Sequence, residues 1–473
     1  MPSSPNVIII ADDLTGAADT GVQFAAGGAP VYLLPAATLS PAPHPQLVGA
    51  GGLSLYTTSR DLSAQAAGER VRSAAQALPD LRPRWFYKKI DSCLRGNLGA
   101  EIDALLDTLG FAAALVAPAL PAQGRTTIDG IHRVRGTPLA QTRFARDSIR
   151  PITSSVVAEI LARQSRHRIG GLSLADSGDP DRLQGALRRE RARGCRLIVY
   201  DAVEQAHLDQ LAALVIQSPE PLLPAGSAGL AAGLAGRLLP QRTIESAPLP
   251  STQLQAVRRE PPQSAIPAGM TDFHTADQWE VAEPSEATNL RPRSKPGTGL
   301  ERLLMVCGTG APVTRRQTDT LLARYPGLRH ESAPEWLIAA SAQDRRRRAT
   351  ELRAAWTGGI LALGVRPLSP AGSAVTPEQT ELGLAGLADL ALRILRASPV
   401  EGLFLSGGET AAACFRAYGG EAIALHREIL PGLVLGRWVG GVADGLPVVT
   451  KAGTFGTEQT LVALYECLSE ETG

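Results

Sequence analysis

Apolar and polar positions along the chain fall into blocks. Short apolar runs at 7–11 (VIIIA), 31–34 (VYLL), 113–117 (AALVA) and 197–200 (LIVY) show no polar alternation, the mark of strands buried on both faces of a parallel sheet. Amphipathic stretches lie between them, as at 63–78 and 99–109, and predict helices. This strand–helix alternation predicts a doubly wound α/β domain over 1–242. Over 243–300 the periodicity disappears. Eight of the 35 prolines lie between 246 and 300, which predicts a proline-rich linker or an irregular insertion. Alternation resumes with RLLMV at 302, ILALGV at 360–365, a helix near 377–397 and GLFLS at 402–406, so a second α/β domain is expected over 301–473. The expected fold class is α/β in two domains, each a mainly parallel sheet flanked by helices.

Composition narrows the function classes. A chain of 473 residues, 44% hydrophobic and 20% charged, has material for two buried cores and does not read as disordered. A net charge of +1 gives no support for a nucleic-acid surface. No apolar run approaches the roughly 20 residues needed to span a bilayer. The start, MPSSPNVIII, lacks the basic region of a signal peptide. Five scattered cysteines fit neither a disulfide framework nor a zinc site, which points to the cytoplasm. A homo-oligomer is left open. One bias adds to this. Only four of the 47 basic residues are lysines, namely Lys88, Lys89, Lys295 and Lys451. Arginine serves elsewhere, so retained lysines mark places where a compact ammonium matters, unless codon bias alone spared them.

Candidate chemistry gathers at strand ends. The first strand runs into Asp12 and Asp13, where open α/β sheets bind ligands; one acid suffices as a helix cap, which leaves the other for a base or a metal. A second strand ends in Lys88, Lys89, Asp91, Ser92, Cys93, Arg95 and Asn97. This set suits an anionic, polyhydroxylated ligand, with Arg95 forking a carboxylate and Asp91 or Asn97 holding hydroxyls. Cys93 and His132 read as structural, and Lys88 should face away from Lys89. Arg125 lies in a long polar loop after a third strand, and Ser227 opens a helix N-terminus suited to anions. The second domain carries three glycine-rich turns: Gly308-Thr309-Gly310, Gly407-Gly408-Glu409-Thr410 and Lys451-Ala452-Gly453. Their backbone amides suit phosphates, although no P-loop pattern occurs.

Taken together, IADDLTGA, KIDSCLRGN, the proline-rich GRTT loop, GSAGLA, GTGAPVT, SGGETA and KAGTFG resemble the four-carbon acid sugar kinase family over nearly the whole chain. Cys93, Gly310-Ala311, Ala452 and Thr454 depart from its usual residues. The resemblance implies a sugar-acid domain followed by an ATP domain. It also implies phosphoryl transfer to the terminal 4-hydroxyl of threonate, erythronate or an oxo-tetronate. Under that expectation Asp12 or Asp13 is the base, with Asp12 favoured as nearer the strand end. Lys89, Asp91, Arg95, Asn97, Arg125 and Ser227 serve the acceptor. Thr309, Gly407, Gly408, Glu409, Thr410, Lys451 and Gly453 serve ATP. Mg²⁺ is expected to bridge phosphates with no protein ligand assigned, and the domains are expected to close on their ligands. Two rivals remain. A non-catalytic sensor keeps both ligand sites but needs no base, and a haloacid-dehalogenase-type phosphatase needs Asp-x-Asp spacing that adjacent acids lack.

Overall fold

The computed structural model describes residues 5–25, 29–39, 49–78, 81, 83–146, 151–239, 302–308, 311–366 and 376–471. The expected linker, 243–300, and Thr309 lie outside the described residues.

The N-terminal half contributes strands β1 (Val7–Ala11), β2 (Val31–Pro35), β3 (Gly52–Tyr56), β4 (Trp85–Lys89), β5 (Ala113–Ala117), β6 (Arg125–Ile128), β7 (Ile131–Val134), β8 (Thr137–Pro138), β9 (Arg168–Leu172), β10 (Cys195–Tyr200) and β11 (Leu222–Gly226). Eight of them form a parallel sheet in the order β2-β3-β1-β4-β11-β5-β10-β9, and β6, β7 and β8 form a small antiparallel sheet beside it. All five residues of β1, β3, β5 and β11 are buried. That is why their sequences run apolar without alternation. The helices between them start on chain-encoded caps. Ser63 accepts the Ala66 amide at the head of Ala64–Gln76, and Asp179 does the same for Pro180–Ala192.

The C-terminal half adds β12 (Arg302–Cys307), β13 (Gly327–Ser332), β14 (Gly359–Val365), β15 (Gly402–Ser406), β16 (Ala422–Leu430), β17 (Leu433–Val439) and β18 (Pro447–Lys451). The order β13-β14-β12-β15-β18 is parallel, and β17 and β16 extend it as an antiparallel pair. The expected helix appears at Pro377–Ala397, headed by a Thr376–Gln379 capping box.

The two sheets are one. Antiparallel pairing of Val31, Tyr32 and Leu33 with Leu425, Ala424 and Ile423 joins β2 to β16 and makes a continuous 15-stranded sheet. The first helix, Leu14–Ala25, packs on β1, β2 and β3 and also on β16. Closure was expected to bring the two ligand sites together. Here the shared ladder already sets the ends of β1 and β4 opposite the turn after β15.

Candidate active site

Arg60 organises the acceptor side. It lies on the loop after β3 and forks Asp12, with Nε 2.7 Å from Oδ2 and Nη2 3.0 Å from Oδ1. Its Nη1 reaches Asp13 Oδ2 at 2.7 Å, and Nη2 lies 3.8 Å from Asp91 Oδ1. One guanidinium thus holds three carboxylates, all of them buried. Burial would raise the Asp12 pKa, but the charge and hydrogen bond of Arg60, with the charges of Lys88 and Lys89, together hold the carboxyl below the ordinary value. Asp91 is likewise held well below the carboxylate range. Burial opposes that shift, and Arg95 and then Arg60 overcome it.

The loop that presents Arg60 is built for the task. Thr58 takes the left-handed conformation at φ 52°, a cost of about 1–3 kcal/mol that surrounding bonds must offset. The Asn97 amide nitrogen donates to the carbonyls of Ser59, Arg60 and Leu62 at 3.0, 3.3 and 2.8 Å. Ser59 Oγ donates to Glu101 Oε1 at 2.6 Å, and Glu101 Oε2 meets Lys88 Nζ at 2.7 Å in a fully buried pair. Lys88 is therefore structural, as its position on β4 suggested.

Three expected ligand contacts are instead committed to the chain. Arg95 forks Asp91 through Nε and Nη2 at 2.9 and 3.0 Å. Asn97 holds the Arg60 loop rather than a hydroxyl. The Ser227 hydroxyl donates to the Ala119 carbonyl at 2.5 Å and accepts the Gly229 amide, as a helix cap. The reason is common to all three: buried polar groups find chain partners when chain partners are near. His132 is a buried hairpin residue between Thr127 and the Ser92 carbonyl, and burial lowers its pKa to about 4. Burial raises the Cys93 pKa, in keeping with its structural reading.

Asp13 has a different outlook from Asp12. Its Oδ1 accepts the Gly16 amide at 2.7 Å, and its Oδ2 accepts the Thr15 hydroxyl at 3.1 Å. A Cβ at Gly16 would lie 2.6 Å from Asp13 Oδ1 and 2.9 Å from Lys89 Nζ, so glycine lets the carboxylate and ammonium crowd the helix start. A Cβ at Gly408 would lie 2.6 Å from Asp13 Oδ2. Only a glycine allows the turn of the second domain to approach this carboxylate. Beneath them lies Asp19, which the sequence reading missed. Burial pushes its carboxyl up to about 7 against the pull of Lys89, with Glu428 and Asp13 adding to the rise.

Across the junction, the turn after β15 is built of backbone. Gly407 (φ 99°) precedes the helix Gly408–Tyr418, whose first amides face the junction. Thr410 is buried behind it. At the rim of the cleft, desolvation of the Glu409 carboxyl, then the hydrogen bond to Asp61 and the Asp61 charge, raise its pKa to about 8. Lys451, at the end of β18, is fully buried. Its Nζ donates to the carbonyls of Ala452 and Phe455 at 3.0 and 3.2 Å and to Thr314 Oγ1 at 3.3 Å. Burial lowers its pKa to about 8, which Cys307 opposes and Arg143 reinforces. The Gly453 carbonyl accepts the Thr314 hydroxyl at 2.8 Å, which ties the turn to the helix Pro312–Arg324. Next to Thr314, Cys307, Arg315, Arg329, Glu331 and Gly364 line a shallow, solvent-open cleft. Among the described residues no group of three His, Cys, Asp or Glu could hold a metal ion, and no helix is long and apolar enough to cross a membrane.

Comparison with known proteins agrees with this division. Residues 7–234 match the family described as a sugar-binding N-terminal domain, and residues 304–461 match a nucleotide-binding C-terminal domain. A D-threonate kinase of Salmonella typhimurium is 31% identical over 97% of both chains. A D-erythronate kinase of Heliobacterium modesticaldum is 32% identical, covering 98% of this chain and 97% of its own. A solved structure from Salmonella typhimurium LT2 shares the fold at TM-score 0.72 and 20% identity, covering 98% of this chain and 99% of that one. With two ligand-binding halves in this order and relatives matched end to end, the chain belongs to the four-carbon acid sugar kinase family.

Proposed function

We propose that this chain transfers the γ-phosphoryl group of ATP to the 4-hydroxyl of a four-carbon sugar acid of the threonate or erythronate type, in the cytoplasm. The observation that carries the reading is the position of Asp13, whose Oδ2 abuts Gly408 of the nucleotide domain while Arg60 holds the same oxygen in place. Asp12 was the favoured base from sequence. Arg60 takes both Asp12 oxygens but only one Asp13 oxygen, the one beside Gly408 of the second domain, so the role passes to Asp13.

Phosphoryl transfer asks mainly for positioning and charge neutralisation. Asp13 takes the proton of the 4-hydroxyl as that oxygen bonds to the γ-phosphorus. The bond from phosphorus to the β–γ bridging oxygen breaks, and ADP leaves with that electron pair. Lys89 stands beside Asp13 to meet the anionic acceptor. The amides of Gly408 and Glu409 face the phosphates, and Lys451 adds a positive charge under the Gly453 turn. Asp12, Asp13 and Asp91 are bound to Arg60 and form no ready-made cage, so Mg²⁺ would come with the nucleotide, held by phosphates and water.

The test is ATP consumption across a panel of C4 sugar acids, with wild type and Asp13→Asn. Losing a positioned base should lower kcat by roughly 10²- to 10⁴-fold with little change in the KM for ATP. Full turnover by Asp13→Asn sinks the base assignment. ATP binding without turnover on any acid would favour the sensor, and phosphate release from a sugar-acid phosphate without ATP would favour the phosphatase.

A further inference from the structure

Cations crowd the far end of the junction, and the chain gives them little to bind. Arg125 is buried; its Nη1 donates to the Gln123 carbonyl at 2.6 Å and the Gln123 side-chain oxygen at 3.2 Å, but its Nε is buried without a partner. Its guanidinium lies 5.2 Å over the Phe455 ring, which belongs to the nucleotide-domain turn after Lys451. Arg143 lies on the short 3₁₀ turn Arg143–Arg146 of the acceptor domain. Its Nη2 crosses to the same turn and donates to the Thr454 carbonyl at 3.1 Å. Arg143 and Arg95 both lie against the Phe144 ring, at 5.2 and 5.5 Å. Burial, then the charges of Arg125, Arg95 and Arg135, lower the Arg143 pKa, with Cys93 opposing them.

A neutral backbone carbonyl is a poor match for a guanidinium fork. Arg143 is solvent-exposed and reaches over the buried Arg125, and like charges so placed repel unless an anion joins them. Buried donors left without a partner carry the same implication. The acids nearby are already taken, since Asp91 is held by Arg95 and Arg60. What fits is an oxyanion with two or three acceptor oxygens in the plane of a fork.

We propose that Arg143, together with Arg125, forms an oxyanion clamp that reaches from the acceptor domain to the turn Ala452–Gly456 of the nucleotide domain. This rests on the kinase reading for its ligands, which supply two such groups: the carboxylate of the sugar acid and the γ-phosphate of the nucleotide. Either would displace the Thr454 carbonyl and add bonds to Arg125 Nε. The clamp would also explain why Arg95 can be given over to Asp91, because a second arginine pair is present to take the ligand's charge.

The experiment uses the full chain with Arg143→Ala and Arg143→Lys, after thermal melts show both to be folded. Removing a charge-assisted contact should raise one KM by about ten- to a hundredfold, and lysine should recover part of the loss. A rise for the sugar acid alone assigns the carboxylate. A rise for ATP, with weaker calorimetric binding of inorganic pyrophosphate, assigns the phosphate. Unchanged KM values and unchanged pyrophosphate binding overturn the clamp. Were wild type inactive on every C4 acid, calorimetric titration of threonate and of pyrophosphate would still read the clamp: weaker binding of either to Arg143→Ala supports it, and equal binding of both refutes it. If Arg143→Ala fails to fold, Arg143→Gln is read by the same measurements.

Discussion

The acceptor and nucleotide halves of the site handle charge in opposite ways. At the ends of β1 and β4 the charges have protein partners: Arg60 holds Asp12 and Asp13 and approaches Asp91, Arg95 forks Asp91, and Lys88 meets Glu101. On the nucleotide side the main charge, Lys451, is buried against neutral oxygens of Thr314, Ala452 and Phe455. The first half carries a preorganised set of side chains whose geometry is fixed before any ligand arrives. The second half is a backbone cradle whose lone ammonium is completed by the ligand. Under the proposed reaction, fixing Asp13 and leaving the Lys451 turn electrically incomplete suits an acceptor that must be aimed and a donor that carries the charge.

The largest effect should come from breaking the paired half. Arg60→Ala leaves Asp12 and Asp13 buried without their cation, a change that costs about 3–5 kcal/mol when one partner of a buried pair is removed. Thermal melts should show a large fall in Tm, and kcat should fall with it because Asp13 loses its anchor. The sign with pH follows from the depressed carboxyls of Asp12 and Asp91. Their contribution is present above the unfolded value of about 4 and is lost as pH falls toward their folded values. Arg60→Ala should therefore begin acid unfolding at higher pH than wild type. Equal acid resistance in both proteins would mean that the three-carboxylate cluster adds nothing to the fold.

The unpaired half should respond with the opposite sign. Lys451 is a buried base whose pKa is lowered to about 8, so the fold bears the cost of its charge at neutral pH and gains stability as pH rises from about 8 toward 10.5. Lys451→Met should leave Tm at pH 7 unchanged or raised, while the KM for ATP rises by roughly tenfold or more through loss of a charge-assisted contact. A drop in Tm with an unchanged KM would make Lys451 a structural residue and erase the contrast with Arg60.

How far the sequence showed these halves depends on what each is made of. Glycine turns after apolar strands announce a backbone cradle, and Gly407, Gly408 and Gly453 stood out for that reason. Clustered acids and cations likewise marked Asp12, Asp13, Asp91 and Arg95. Their partners were not visible, because Arg60 lies 48 residues from Asp12 in a stretch with no motif of its own, and Arg143 lies 311 residues from Thr454. Local periodicity cannot report pairing across such separations. The same limit hid the seam. The parallel strands were legible as unbroken apolar runs, whereas β16 (AIALHREIL) mixes charge into its second half and pairs with β2 nearly 400 residues earlier. One signal was available for Asp19: an acid on the otherwise apolar and small-residue face of the first helix, six residues after Asp13.

The finest test of the contrast is a proton count. Near pH 8 Lys451 is about half protonated in the free protein, and a bound polyphosphate beside it raises its pKa toward the ordinary value. Nucleotide binding at pH 8 should then take up about half a proton at Lys451, and that share should fall toward zero at pH 6, where Lys451 is already charged. Calorimetry of ADP binding in buffers of differing ionisation enthalpy reads this directly. Glu409, with a carboxyl near 8 beside Asp61, would add uptake of the same sign, so the Lys451 share is the part lost in Lys451→Met. The acceptor side should behave differently near pH 8, because Asp12 and Asp91 are held in the ionised form by arginines. Binding of a sugar acid there should move far less proton at this pH, with Asp19, near 7, the main group able to contribute. Equal proton uptake by the two ligands would show that the halves are not divided in this way.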